Sequence, residues 1–324
     1  MRGFSSRPRA WKGTNKRLGW RMCHVCKLAS IKSPGDGLLH CAQDSTTFTA
    51  HVNSPKWAGS EESLEEFRSS IRFPNKLVTS DYFHHWLIFN DPLHVVYRGI
   101  GPSYVGGTIL LLCEQGFFGH GVNQQRFDAA FSSAFEFARE SGFDLAVEEF
   151  TPSSLNLKEG YPEMNAKGAD IKVLIFWLAG IARQFQQLNP QCDRAKVLDL
   201  AAYSLASWVK VLDDEGLWMR RSAACKAARH GLTFVKTFLW LAHEAYLDNK
   251  LWFKIRPKLH LFHHWSVGQT SLVNIPLNPK AYSCWSDEDF VRRVCSVASG
   301  VGHVGITTSM MSRYLASASE AWLA

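Results

Sequence analysis

Four groups of residues have side chains and spacings suited to chemistry. Cys23 and Cys26 stand two residues apart, and His40-Cys41 follows fourteen residues after Cys26. Four such soft ligands can surround Zn²⁺ tetrahedrally, because a two-residue spacer turns both thiolates of a knuckle toward one ion. The same cysteines can equally be plain reduced thiols in an arm. Asn90-Asp91-Pro92-Leu93-His94 places a carboxylate and an imidazole one helical turn apart. Asp91 can there hold Mg²⁺ or orient His94, or it can cap a helix that starts at Pro92. His260 and His264, in Lys258-Leu259-His260-Leu261-Phe262-His263-His264-Trp265, have the i, i+4 spacing of a chelating helix. No Glu follows His260 as a metalloprotease helix requires, and the flanking Leu259, Phe262 and Trp265 suit packed core histidines. Finally, Ser286-Asp287-Glu288-Asp289 sets three acids in a row. They can share a divalent cation for phosphoryl transfer, or form a capping box with Ser286 as N-cap and Asp289 three residues on.

The elements that must position these groups are mostly helices. Apolar stripes of helical period predict helices over 123–141, 168–187, 194–213 and 222–249. Leu198, Leu205, Trp208 and Leu212 line one side of the third. Val235, Leu239, Ala242 and Tyr246 line the fourth, with Phe234, Phe238 and Leu241 widening the face, so that this helix should be buried on two sides. Ser63-Leu64-Glu65-Glu66 predicts a short helix through a capping box. His84–Phe89 reads as a strand that turns at Asn90-Asp91-Pro92 into a helix through Leu93–Tyr97, which glycines 99, 101, 106 and 107 either interrupt or pack closely. Segments 143–165 and 266–284 read as connections, and Met311, Leu315, Ala318 and Trp322 form an apolar row in a closing helix.

Composition supports a folded chain of 324 residues, 46% hydrophobic, in which twelve Trp and 21 Phe demand a large aromatic core. The net charge of +7 is unevenly spread. Residues 1–32 carry nine Lys or Arg and no acid, so the rest of the chain is slightly acidic. A basic arm of this kind either contacts nucleic acid or stays disordered, and Arg7, Arg9, Lys12, Lys16, Arg17 and Arg21 are the candidate contacts. No secretion signal follows Met1, and the longest apolar stretches are about half of the roughly 20 residues that a membrane helix needs. An intracellular chain with reduced thiols is expected.

Five segments in order, Asp91-x-x-His94, Tyr104-Val105-Gly106-Gly107, Tyr161–Asp170 (YPEMNAKGAD), Lys258–Trp265 and Trp285–Val291 (WSDEDFV), resemble transposase-like proteins present in many copies in dinoflagellate genomes. These are distantly similar to CACTA-type transposases, whose catalytic core is RNase H-like. The resemblance implies that Cys23 and Cys26 match a knuckle, that Asp91 and His94 match an Asp-x-x-His signature, and that Glu288 matches the third catalytic acid. The family's first two aspartates lie ahead of the knuckle, where this chain has 22 residues and no acid. Two-metal cleavage needs several carboxylates around ions about 3.5–4 Å apart. The resemblance therefore implies a truncated or domesticated, nuclear, DNA-binding protein without independent nuclease activity. The alternatives are an active metal-dependent nuclease using Asp91 and Glu288, or a purely structural helical scaffold.

The fold expected is mainly α: a basic arm with the knuckle over 1–59, then a helical domain over 60–324 that is a truncated RNase H-like core with a helical insertion. Short strands are expected near 46–52, 84–89 and 281–285. A sheet without its central strands would leave helices to bury one another, with self-association as one outcome.

Overall fold

A computed structural model describes residues 20–21, 30–31, 63–70, 76–84, 90–264, 266 and 276–285, together with 291, 294–296, 309, 311–313 and 315–316. Its contacts divide the chain into two units, Met1–Tyr282 and Ser283–Ala324. The expected boundary at residue 59, the knuckle residues Cys23, Cys26, His40 and Cys41, the basic residues Arg7, Arg9, Lys12, Lys16 and Arg17, the side chain of Arg21, and Glu288 all lie outside the described residues, as does the strand expected near 46–52.

In the first unit the fold is mainly helical. Two-residue strands β1 (Trp20–Arg21) and β2 (Ser30–Ile31) pair antiparallel, and one isolated bridge joins Trp218 to Leu277. No RNase H-like α/β core is seen among the described residues. The strand expected at 281–285 is not one: a 3₁₀ turn covers Pro279–Tyr282. Of the strand expected at 84–89, His84 lies in irregular structure and the rest is outside the described residues.

The helices are α1 (Leu64–Ser70), α2 (Lys76–Thr79), the π-helix α3 (Leu93–Ile100), α4 (Gly101–Glu114), α5 (Asn123–Ser141), α6 (Gly168–Leu188), α7 (Asp193–Asp214), α8 (Arg221–Leu247) and α9 (Pro257–His263). The four long helices α5 to α8 fall within a residue or two of the expected bounds. Local chemistry ends them. Gly142, at φ 69°, takes the left-handed conformation that closes α5, and Phe143 N–H then bonds back to Ala138 C=O at 2.9 Å. Asn278 donates its side-chain amide to the carbonyls of Leu212 and Glu215 at 2.9 and 3.1 Å, satisfying the end of α7 from 63 or more residues away.

Helix α6 packs against α3, α4, α5 and α7, while α8 is held between α7 and α9. The expected stripes are where the burial is: Leu198, Leu205, Trp208 and Leu212 on α7, and Phe234, Val235, Phe238, Leu239 and Leu241 on α8. Tyr246 departs from its row, being 72% exposed at the last turn of α8. The aromatic core is real. Trp208 meets Phe262 edge-on at 4.9 Å between ring centres, Phe234 meets Tyr104 at 5.3 Å, and Phe238 meets Phe253 at 5.9 Å. Each fully buried ring contributes roughly 1.5–3 kcal/mol of transfer free energy, and these pairs tie α7 to α9, α4 to α8, and α8 to the segment before α9. A smaller cluster of Phe67, Val78 and Phe83 joins α1, α2 and the turn after α2.

The second unit has helical residues at 285, 291, 294–296, 309, 311–313 and 315–316. Met311 and Leu315 of the expected apolar row are both exposed, and Ala318 and Trp322 lie outside the described residues.

Candidate functional site

Asp91 sits just ahead of α3, and its carboxylate does what a capping residue does. Leu93 N–H donates to Oδ1 at 3.0 Å and His94 N–H donates to Oδ2 at 3.1 Å, filling donors that a helix start otherwise leaves open. The Nδ1 of His94 also contacts Oδ2. The pair is thus both cap and dyad, with His94 about half exposed. Their ligand-type atoms lie within 4.8 Å of one another, a possible metal-holding pair.

One turn further on, α3 breaks. Arg98 leaves helical geometry at φ −115°, ψ 16°, and its carbonyl, released from the helix, accepts from Lys258 Nζ at 3.0 Å. Gly99 makes that approach possible: a Cβ there would lie 2.6 Å from Lys258 Cδ and 2.7 Å from the carbonyl oxygen of His94. Gly106, on α4, plays the same part for the loop before α6. A Cβ at Gly106 would meet the backbone of Pro162 and Glu163 at 3.0 Å. Gly99 and Gly106 are thus close-packing sites for segments distant in sequence, as is Gly107, where a Cβ would meet the Phe253 ring at 2.9 Å.

The 161–170 segment is pinned by backbone bonds from Glu163 N–H to Leu155 C=O and from Met164 N–H to Pro102 C=O, both at 3.0 Å. Asp170 within it is structural. Buried at the start of α6, its carboxylate accepts Ala146 N–H at 2.8 Å and Lys167 N–H at 3.3 Å. Glu163 points the other way, toward the extended chain leading into α9, where it pairs with Arg256 and, at 3.3 Å, with Lys254. The Nε of Arg256 is buried with no hydrogen-bond partner among the described residues. A cavity of about 340 Å³ opens here, lined by Arg98, Asn156, Glu163, Met164, Asn165 and Ala166.

Four cationic side chains, Arg98, Lys254, Arg256 and Lys258, therefore meet two carboxylates, Asp91 and Glu163. The imbalance registers on Lys258. Burial, then the neighbouring Arg256 and Arg98, outweigh Asp91 and Glu163 and bring its amine down to about 8.

The sequence-derived histidines are nearby but differently employed. His260 and His264 are buried on α9, with their Nε2 atoms 3.0 Å apart and the rings edge to face. One ring donates and the other accepts, so they are paired core histidines. Of the expected catalytic residues, Asp91 and His94 come together; where Glu288 lies relative to them falls outside the described residues. Arg98, Glu163, Lys254, Arg256 and Lys258 were not singled out as site residues in the sequence. A signal for two of them was present: Lys254-x-Arg256 alternates in the segment before α9, and period two on an extended chain turns like residues to one side.

No helix among the described residues is long and apolar enough to cross a membrane. No protein-family model, curated protein or solved structure matches the chain.

Proposed function

We propose that this chain is a transposase-derived protein that binds nucleic acid without cleaving it on its own. The supporting observation is the convergence of four motif segments that are far apart in sequence. Lys258 bonds to the Arg98 carbonyl on the helix that the Asp91–His94 turn starts, Gly106 packs on Pro162 and Glu163 of the Tyr161–Asp170 loop, and Glu163 pairs with Arg256 and Lys254 just ahead of α9, beside a cavity lined by Arg98 and Glu163. A phosphodiester supplies the missing negative charge, and guanidinium groups bind phosphate oxygens well. The arm of residues 1–32 and a zinc-holding knuckle at Cys23 and Cys26 would add further contacts to the same strand.

The lack of independent cleavage follows from carboxylate supply. Asp91 has about four lone-pair positions, and three are engaged by the α3 amides and His94. Mg²⁺ prefers six oxygens in octahedral array, and a carboxylate so engaged beside an imidazole offers few. The test is duplex DNA binding by fluorescence anisotropy at 50 and 200 mM salt, for the full chain and for one beginning at residue 33, beside a plasmid-nicking assay with Mg²⁺ or Mn²⁺. Salt-sensitive binding without nicking is expected. Absence of binding at low salt overturns the reading.

The contact of His94 with Asp91 favours a second reading, a metal-dependent nuclease in which this pair and Glu288 share an ion. An imidazole among the ligands suits Mn²⁺ or Zn²⁺ better than Mg²⁺. Nicking that Mn²⁺ restores and Glu288→Gln abolishes would establish it in place of the first.

A further inference from the structure

Between Glu215 and Glu244 the sequence has no acid, and over that stretch Arg220 precedes α8, which carries Arg221, Lys226, Arg229 and Lys236. At 100° per residue, Arg221, Lys226, Arg229 and Lys236 fall within one half of the helix surface, and all four are exposed. The opposite face, with Ala223, Ala224, Ala227, Phe234 and Phe238, is in the core.

Charge on the helix packed beside α8 does not neutralise this ridge. Every acid of α7 is already engaged with a cation elsewhere: Asp193 with Lys196, Asp199 with Arg183, Asp213 with Lys172 and Lys280, and Asp214 with Lys210. Glu215 is taken by Arg220, and Glu244 by Arg194. Among the described residues, Lys226, Arg229 and Lys236 make no ion pair. His230, between them, has its proton affinity lowered by burial and then by Arg229 and Lys226, as expected beside like charge.

We infer that the exposed face of α8 is a second polyanion surface, on which Lys226, Arg229 and Lys236 lie along a nucleic-acid phosphate backbone. This rests on the nucleic-acid reading above and extends it to a separate face. From residue 226 to 236 the helix advances about 15 Å, enough to follow several phosphates of a duplex that carries one charge per roughly 1.7 Å of axis. An acidic protein is the other polyanion. The exposed large apolar side chains of α8, Tyr246 and Leu247, are at its far end, while Leu232 and Trp240 on the ridge are half-buried, so the accessible part of this face is set mainly by its cations. Interspersed cations and small polar residues suit phosphate contact.

The test is duplex DNA affinity against salt for the full chain and for Lys226→Ala/Arg229→Ala/Lys236→Ala, with the Gln triple variant as a second form. Exposed alanines favour helix, so circular dichroism should be unchanged. Losing three phosphate contacts lowers the log–log salt slope by about 2.7, so that the fall in affinity between 50 and 200 mM salt shrinks about 40-fold. Lys196→Ala/Lys210→Ala on α7, whose charges are already paired, should change it far less. Wild-type binding with an unchanged slope in both triple variants overturns this inference and leaves the nucleic-acid reading standing. No binding by wild type overturns both. Displacement of duplex by polyglutamate at equal charge concentration overturns the choice of partner.

Discussion

Lys258 gives the sharpest test of how the cationic corner is built. Its amine titrates near 8 in the folded chain against 10.5 when unfolded. Below pH 8 it is charged in both states and the folded state carries the penalty in full. Between about 8 and 10.5 the folded amine is neutral while the unfolded one still holds its proton, so the unfolded state binds more protons and stability rises with pH. At 1.36 kcal/mol per pKa unit the whole effect would be about 3 kcal/mol; the side chain is partly exposed, and solvent screening reduces this to about 1–2 kcal/mol. Lys258→Met keeps the stem against Gly99, removes the charge, and loses the bond to Arg98 C=O, about 1 kcal/mol. The variant should match or exceed wild type at pH 7 and fall behind it near pH 10.5. Urea unfolding followed by helical circular dichroism, at pH 7, 8, 9 and 10, reads the difference between the two proteins, in which tyrosine titration cancels. A difference that does not move with pH would refute the burial of Lys258 beside Arg256 and Arg98.

Other consequences are simpler to measure. Gly99→Ala forces a Cβ onto the carbonyl of His94 and the stem of Lys258, and should lower stability by roughly 1–3 kcal/mol in denaturant melts. Asp91→Ala should lower it by about 1 kcal/mol through loss of the α3 cap, with Asp91→Asn recovering most of that; equal melting of all three proteins would contradict the capping role. Glu215 has its carboxyl held below the ordinary value by hydrogen bonds from Arg220. Its contribution is present above pH 4.5 and lost as pH falls through the lower folded value, and Arg220→Gln should flatten that part of the acid unfolding curve.

The long helices were legible because burial of a stripe is a local pattern. Leu198, Leu205, Trp208 and Leu212 recur at helical spacing, and a chain that buries one buries them all. The strand expected at 281–285 failed because its evidence was residue type alone, and type is a weak guide where tertiary contacts decide. There the chain follows Asn278, whose side chain is committed to the end of α7, a partner more than 60 residues away that no local window contains. The site divides the same way. Asp91 and His94 are three residues apart, so their contact could be read from sequence. Glu163, Arg256 and Lys258 meet only because Gly99 and Gly106 let three segments approach, and the glycines were visible without their partners.

The central claim is that Arg98, Lys254, Arg256 and Lys258 form one phosphate-holding corner where the motif segments approach one another. Duplex DNA affinity measured across salt for wild type and for Arg98→Ala/Lys254→Ala tests it most directly. Two lost phosphate contacts should weaken binding and lower the log–log salt slope by about 1.8. An affinity and a slope identical to wild type would contradict it.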